Sequence, residues 1–179
     1  MRLERLLAKV PDAIWAPCLE AAMLLVAGAL SLAFQQAWLF ASLGPTAYEI
    51  AEHPQRPSSR PYAVIVGHFV ALGVALATVA LLGAWNTPSI DPLHGVTRPR
   101  LLASVIAAAL SAALNILLKT SQPASVATAL LVALGTFQSG RGAFDLAMGI
   151  LIVALLGIPL RQLGQKRREA GAFPPALAD

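Results

Sequence analysis

Charged residues are scarce in this chain: only 12% of its 179 residues are Asp, Glu, Lys or Arg, against about a quarter in ordinary soluble domains. A soluble domain of this length needs a charged surface around its core, so that class is excluded. The single cysteine, Cys18, excludes a disulfide-stabilised scaffold. An intrinsically disordered chain is also excluded, because it would need far more polar residues than this one has.

Apolar residues, by contrast, make up 57% of the chain. The formal net charge is +4, but the basic residues lie between long apolar runs instead of on one polar face, so we expect no nucleic-acid partner. We find no nucleophile elbow, zinc-protease helix, phosphate-binding loop or dinucleotide motif, and we therefore expect no enzyme, no cofactor and no metal site. The composition predicts one integral membrane domain with the lipid bilayer as its surroundings.

Four apolar runs are long enough to cross a bilayer, which takes about 20 residues. They lie at about 13–34, 62–85, 101–118 and 143–160. Two further apolar segments, 37–51 and 124–137, are shorter and carry proline at or near their starts. Short segments of this kind are re-entrant or broken helices buried in protein. We therefore predict an all-α membrane protein with four full transmembrane helices plus two short broken or re-entrant helical segments.

The distribution of Lys and Arg predicts the orientation. If both short segments cross, 10 basic residues lie on the side of the termini and 3 lie opposite; if both are re-entrant, the split is 9 to 4. Either way we expect both termini in the cytoplasm, and we expect the protein in the plasma (inner) membrane of a bacterium. Residues 1–12 form a basic interfacial segment, 13–160 the transmembrane domain and 161–179 a polar cytoplasmic tail.

A weak internal repeat appears when the chain is shifted by 78 residues, because Pro45 then falls on Pro123. The halves, about 13–85 and 91–163, each have the order span, broken segment, span. Crossing segments would make the repeats inverted, and re-entrant segments would make them parallel. Duplications of this kind are common in transporters, where the substrate site lies between the repeats.

Proline favours the first turn of a helix, so Pro45 and Pro123 each predict a helix start inside the membrane. The free N–H groups and the helix dipole at such a start attract anions. If the two starts face each other, Gly44 and Gln122 lie close together. The candidate caps are Ser42 or Gly44 for the first helix and Ser121 or Thr120 for the second. Alternatively, both prolines only kink helices, and the freed groups bond to Ser42, Thr46, Ser121 and Ser125.

Three ionisable residues fall inside or near the apolar runs: Glu20, His68 and Asp145. His68 follows Gly67, where the missing side chain lets another backbone approach. The histidine can donate to a substrate or carry a proton near neutral pH; alternatively, it is neutral and bonds to a carbonyl group. Glu20 and Asp145 lie near span ends, where carboxylates reach headgroup water or face the protein interior.

A small and polar stripe follows helical spacing in the segment 101–118. Its members are Ser104, Ala108, Ser111 and Asn115. Such a stripe lines a pathway or packs one helix closely against another.

Several stretches of the sequence resemble the HPP family of integral membrane proteins. They are FASLGPTA at 40–47, SRP at 59–61, GH at 67–68 and QPASVATALLVALG at 122–135. The resemblance covers nearly the whole chain to about residue 160. It implies a small protein with several membrane spans, and some members of the family are associated with nitrite transport in plastids and cyanobacteria.

The sequence departs from the family at the motif that names it. Where members typically read His-Pro-Pro, this chain has Gln122, Pro123 and Ala124. Glutamine donates and accepts hydrogen bonds but cannot titrate. Gln122 therefore cannot take a role that requires a titratable side chain at this position.

These observations predict a transporter or channel for a small monovalent anion, with nitrite the first candidate. The predicted binding residues are Ser42, Gly44, Pro45, Thr46, His68, Ser121, Gln122, Pro123 and Ser125, and the predicted pathway residues are Ser104, Ser111 and Asn115. The alternative is a non-transporting scaffold that binds a partner or lipid. A transporter should have a cavity reaching Pro45 and Pro123, whereas a scaffold should be packed solid there. The chain is short for alternating access by one copy, which favours a homo-oligomer.

Overall fold

The computed structural model describes residues 10–91, 93, 95–137 and 139–170. Most of the predicted basic N-terminal segment, and the last nine residues of the predicted tail, lie outside this part of the chain. The described residues form six α-helices, of which four are long and apolar enough to span a membrane. They are α1 (Asp12–Phe34), α2 (Leu43–Glu52), α3 (Pro61–Leu81), α4 (Arg98–Leu117), α5 (Pro123–Ala133) and α6 (Gly140–Glu169). The predicted fold class is confirmed.

Local chemistry fixes several helix starts. The Thr97 hydroxyl accepts the N–H of Arg100 at the start of α4, and the Ser139 hydroxyl accepts the N–H of Gly142 at 3.0 Å at the start of α6. Both contacts satisfy N–H groups that have no partner inside the helix. Each span that precedes a short helix is followed by a residue with left-handed backbone, Gln35 after α1 and Lys119 after α4. This turn redirects the chain into an irregular segment before the short helix.

The last helix, α6, continues to Glu169, although the sequence predicts a span ending at 160 and a polar tail. Contacts with the rest of the bundle explain the extra turns. Arg167 bonds to the carboxylate of Asp12, and Arg168 donates to the carbonyl oxygen of Glu52 at 2.7 Å. Basic residues at a helix C-terminus also complement the helix dipole.

These contacts define one end of the bundle, which we call the terminal end because α1 begins and α6 finishes there. At this end Ser59, just before α3, bonds to Arg161 of α6. A Cβ at Gly164 of α6 would lie 3.1 Å from Pro54, which follows α2. Thus α2 runs towards the terminal end and α3 runs away from it.

Contacts at the opposite end orient the remaining helices. Arg141 at the start of α6 bonds to Gln36, just after α1, at 3.0 Å. Arg100 at the start of α4 bonds to the carbonyl oxygen of Ala133, the last residue of α5, at 3.1 Å. Ile90, beyond α3, donates to the carbonyl oxygen of Leu134 at 3.1 Å. The direction of the chain therefore alternates through all six helices.

Each short helix thus carries the chain from one end of the bundle to the other and does not return it to the side it came from. For α2 the crossing is completed by residues 36–42, which precede the helix and pass along α6. The re-entrant interpretation is incompatible with these contacts. The sequence segments 13–85 and 91–163 consequently pass through the bundle in opposite senses.

The outer surface of the bundle is apolar. Many large side chains are exposed there, including Leu25 and Leu32 of α1 and Leu101 and Val105 of α4. The interior uses small residues, with Ala71 and Ala75 of α3 and Ala103 and Ala107 of α4 fully buried. Apolar outward faces and small inward faces are the pattern expected of helices that pack in lipid.

Candidate functional site

Four buried polar residues meet where the two short helices pass α3. The Ser42 hydroxyl, just before α2, lies 2.7 Å from the Thr128 hydroxyl of α5. The ring of His68 bridges the same helices, with Nδ1 2.7 Å from Thr128 and Nε2 2.9 Å from Thr46. Thr46 in turn donates to the carbonyl oxygen of Ser42 at 2.9 Å. All four residues are 0% exposed. We call this closed set the hydroxyl–histidine ring.

The direction of the hydrogen bonds in the ring follows from counting donors. Because the one hydroxyl proton of Thr46 goes to a carbonyl oxygen, the Thr46 oxygen accepts from Nε2–H of His68. A neutral imidazole then accepts at Nδ1 from Thr128, whose oxygen accepts from Ser42. Every donor is used once. His68 is therefore bonded to two hydroxyl groups. The sequence leaves a bond to a carbonyl group open as an alternative, and the ring nitrogens do not make that bond among the described residues.

A second polar cluster adjoins the ring at the start of α5. The side-chain amide of Asn115 donates to the Ser125 hydroxyl at 2.9 Å and contacts the carbonyl oxygen of Gly67 at 3.5 Å. Its oxygen accepts from Thr120 at 2.7 Å. Ser125 donates to the carbonyl oxygen of Gln122 at 2.6 Å. Because Gly67 precedes His68 in α3, this cluster connects directly to the hydroxyl–histidine ring.

The caps of the two short helices differ from those that the sequence predicts. Gln122, and neither Ser121 nor Thr120, caps α5: its side-chain oxygen accepts the N–H of Ala124 at 3.3 Å. Ser42 holds the cap position of α2, but its hydroxyl bonds to Thr128. Pro123 is the first residue of α5 as expected. In α2 the helix starts two residues before Pro45, at Leu43.

The two helix starts overlap side by side and do not face each other. Ser42 bonds to Thr128, six residues beyond Gln122 and thus about 9 Å further along α5. Gln122 in turn contacts the carbonyl oxygen of Ser58, beyond the end of α2, at 3.4 Å. Both N-termini lie within the bundle, and His68 occupies the crossing point between them.

Glycines show where backbones approach closely. A Cβ at Gly67 would lie 3.1 Å from Asn115 Oδ1 and from Gln122 Cβ, so the expected close approach is present there. A Cβ at Gly149 of α6 would collide with the carbonyl oxygen of Trp38 and with Phe40. At Gly44, by contrast, a Cβ would meet nothing within 4 Å. Close approach of another backbone is therefore not what requires a glycine at position 44.

A cavity of about 140 Å³ lies at the start of α5. It is lined by Ala112, Asn115, Ile116, Ser121, Gln122, Pro123 and Val126. It is large enough to hold several water molecules. The cavity reaches Pro123 but not Pro45, which is exposed on the outer face of α2. Ser42, Thr46, His68 and Ser125 are sealed from it in this conformation.

The predicted pathway residues lie together on the buried face of α4. Asn115 belongs to the second cluster, whereas the hydroxyl oxygens of Ser104 and Ser111 are buried without a hydrogen-bond partner in the described part of the chain. Asp145 of α6 is 6% exposed, and its Oδ1 is buried without a hydrogen-bond partner among the described residues, whereas Glu20 of α1 is half-buried. Among the described residues no group of three or more His, Cys, Asp or Glu side chains could hold a metal ion.

Sequence reasoning missed Thr128 and the role of Thr120. Thr128 sits in an apolar run, but it follows Ser125 by three residues and so lies on the same helical face. That spacing was the available signal. The partners of Thr128, in contrast, are 60 and 86 residues away in the chain, and only the packing of the helices brings them together.

A protein family described as "HPP, transmembrane region" matches residues 7–169 of the chain. The match includes every helix described above. No curated protein and no solved structure matches the sequence.

Proposed function

Because the chain belongs to the HPP family of membrane proteins, we propose that it is a transporter or channel for a small monovalent anion, with nitrite the first candidate. The single observation that carries the proposal is the hydroxyl–histidine ring, which gathers polar donors from α2, α3 and α5 inside an apolar bundle. Buried polar groups are costly in a membrane protein and are usually retained for function.

The chemistry of the ring suits a weakly hydrated, singly charged ligand. Its four donors are the hydroxyl groups of Ser42, Thr46 and Thr128 and the imidazole N–H of His68. None carries a formal charge when the histidine is neutral. Neutral donors compensate a single negative charge through hydrogen bonds, together with the start of α2, which lies at Ser42 in the ring. They do not offset the larger desolvation cost of a divalent anion.

A route to the ring begins at the cavity beside Gln122 and Pro123. Asn115 lines this cavity and also bonds to Ser125 and contacts Gly67, so it stands between the cavity and His68. In the described conformation all four donors of the ring are used internally, which corresponds to a closed state. In our proposal the ring opens, and the same donors turn to the oxygen atoms of the anion.

The test is flux into proteoliposomes loaded separately with nitrite, nitrate, formate and chloride. We expect flux of at least one anion, and we expect Thr128→Val to reduce it by about tenfold or more, because a lost hydrogen bond to a charged ligand costs about 1.5–3 kcal/mol. Thr78→Val is the matched control. Thr78 lies in α3, further along the helix than His68. Its hydroxyl donates to the carbonyl oxygen of Val74 in the same helix, and it makes no bond to another helix in the described part of the chain. Absence of flux for all four anions, with folded protein, would refute the proposal.

A scaffold that binds a partner or lipid is the second candidate. The sealed ring favours it, since a packed and fully bonded polar cluster can simply fix the positions of three helices. A scaffold predicts no flux, and it predicts that Thr128→Val lowers the melting temperature without any change in permeability. We further propose that both termini are cytoplasmic and that the protein acts as a homo-oligomer.

A further inference from the structure

One carboxylate oxygen of α6 is buried without a hydrogen-bond partner among the described residues. Asp145 is 6% exposed, and its Oδ1 is buried without a hydrogen-bond donor in the described part of the chain. Asp145 lies one turn before Gly149, where residues 36–40 pack against α6. On that segment the indole N–H of Trp38 is likewise buried without a partner. A polar oxygen that lacks a donor inside an apolar bundle is costly, and an ionisable residue at such a place in a membrane protein usually has a function.

Charged and titratable groups on the neighbouring helices are distant along the bundle. α6 packs against α1, α2 and α3. Their titratable side chains lie in the half nearer the terminal end: Asp12, Cys18 and Glu20 on α1, Tyr48, Glu49 and Glu52 on α2, and Tyr62 and His68 on α3. Contacts with Arg167, Ser58 and Arg168 mark that end. On α6 itself, Arg141 is one turn away and bonds to Gln36.

We propose that Asp145 is the binding site for a proton that moves together with the anion. This inference rests on the proposed anion transport. In the closed state Asp145 carries the proton as a neutral carboxylic acid. When the bundle opens at one side, the O–H bond breaks and the proton passes to water there. On the other side a proton from water forms the bond again. One proton with one monovalent anion makes the cycle electroneutral, and the anion is chemically unchanged.

The experiment uses the full chain in proteoliposomes, with nitrite as the probe and initial rates corrected for protein-free vesicles. A gradient of one pH unit, alkaline inside, should drive about tenfold accumulation of nitrite when coupling is one to one. A membrane voltage set with potassium and valinomycin should have no effect. Asp145→Asn should lose the response to the pH gradient but retain exchange of internal for external nitrite. Glu20→Gln, which removes a half-buried acid from α1, should behave like the wild type.

The outcomes separate the two proposals. Nitrite flux that ignores the pH gradient, or an Asp145→Asn variant that still responds to it, overturns proton coupling and leaves anion transport standing. Nitrite flux driven by a sodium gradient would show that the coupled cation is sodium, and this result also overturns proton coupling. No flux at all in the wild type refutes anion transport itself. If Asp145→Asn does not fold, labelling of the wild type by dicyclohexylcarbodiimide decides: labelling at Asp145 that falls at alkaline pH supports proton binding, and absence of labelling contradicts it.

Discussion

Among single residues, glycines set the closest approaches in the bundle. Gly67 accommodates Asn115 and Gln122, and Gly149 accommodates Trp38 and Phe40. Each glycine thereby brings a long helix against the irregular segment that precedes a short helix. In a close-packed interior a single additional methyl group at such a position forces the neighbours to move.

We predict that Gly67→Ala destabilises the protein, because overpacking typically costs about 1–3 kcal/mol and the better helix propensity of alanine offsets only about 0.5–1 kcal/mol of that cost. The added Cβ would stand 3.1 Å from both Asn115 Oδ1 and Gln122 Cβ. Gly73→Ala is the matched control in the same helix, because a Cβ there meets nothing within 4 Å. It should be neutral or stabilising by about 0.5–1 kcal/mol through helix propensity. Melting in detergent measures both; equal effects of the two variants would contradict this role of Gly67.

Among the helices, the two short ones share an arrangement at their C-termini. Arg168 donates to the carbonyl oxygen of Glu52, the last residue of α2, and Arg100 donates to that of Ala133, the last residue of α5. A guanidinium group at a helix C-terminus satisfies free carbonyl groups and complements the negative end of the dipole. Both short helices are thereby held at opposite ends of the bundle, with their N-termini inside it.

We predict that Arg100→Ala lowers stability by about 3 kcal/mol or more, because hydrogen bonds to charged groups contribute about 1.5–3 kcal/mol each. Arg100 is 0% exposed and donates to the carbonyl oxygens of Thr87, Pro88 and Ala133. The control is Arg98→Ala, two residues earlier in the same turn, where the side chain is exposed. Thermal unfolding of the two variants gives the comparison, and an Arg100→Ala melting temperature like that of Arg98→Ala would disprove the anchoring role.

The helices could be predicted from sequence to different degrees. The long spans follow from the lengths of the apolar runs, so the predicted bounds of α1 and α4 lie within a few residues of the observed ones. For the first short segment the sequence predicts a start at residue 37, yet α2 begins only at Leu43. Residues 36–40 are not helical, and they pack at Gly149, a contact 109 or more residues away in sequence that no local pattern reveals. The ring likewise depends on Thr128, which only tertiary packing joins to Ser42.

On the scale of the whole molecule, the chain alternates direction through six helices, two of which are too short to span a membrane alone. When residue numbers are shifted by 78, the start of α3 at Pro61 falls at position 139, next to Gly140, and the start of α2 at Leu43 falls at position 121, near Pro123. The first three helices therefore run through the bundle in the opposite sense to the last three. The internal repeat that the sequence predicts would accordingly be an inverted one, the arrangement from which many transporters derive alternating access.

We predict that single cysteines on either side of α2 face opposite sides of the membrane. In a Cys18→Ser background, Gln35→Cys precedes the α2 crossing and Gln55→Cys follows it, and both positions are exposed. A membrane-impermeant thiol reagent applied to intact cells should label Gln35→Cys only, because the terminal end is expected in the cytoplasm. Labelling of Gln55→Cys alone would show that the protein has the opposite orientation in the membrane. Labelling of both variants would contradict the crossing of the membrane by α2 and the residues before it.

The glycine contacts have a consequence for biosynthesis. Gly67, in the first half of the chain, packs on the segment that precedes α5, and Gly149, in the second half, packs on the segment that precedes α2. Each half therefore completes the other, as in a domain-swapped pair contained in one polypeptide. While the ribosome has produced only the first three helices, the irregular residues 36–40 have no α6 to cover them. The bundle consequently cannot close until its last helix has entered the membrane.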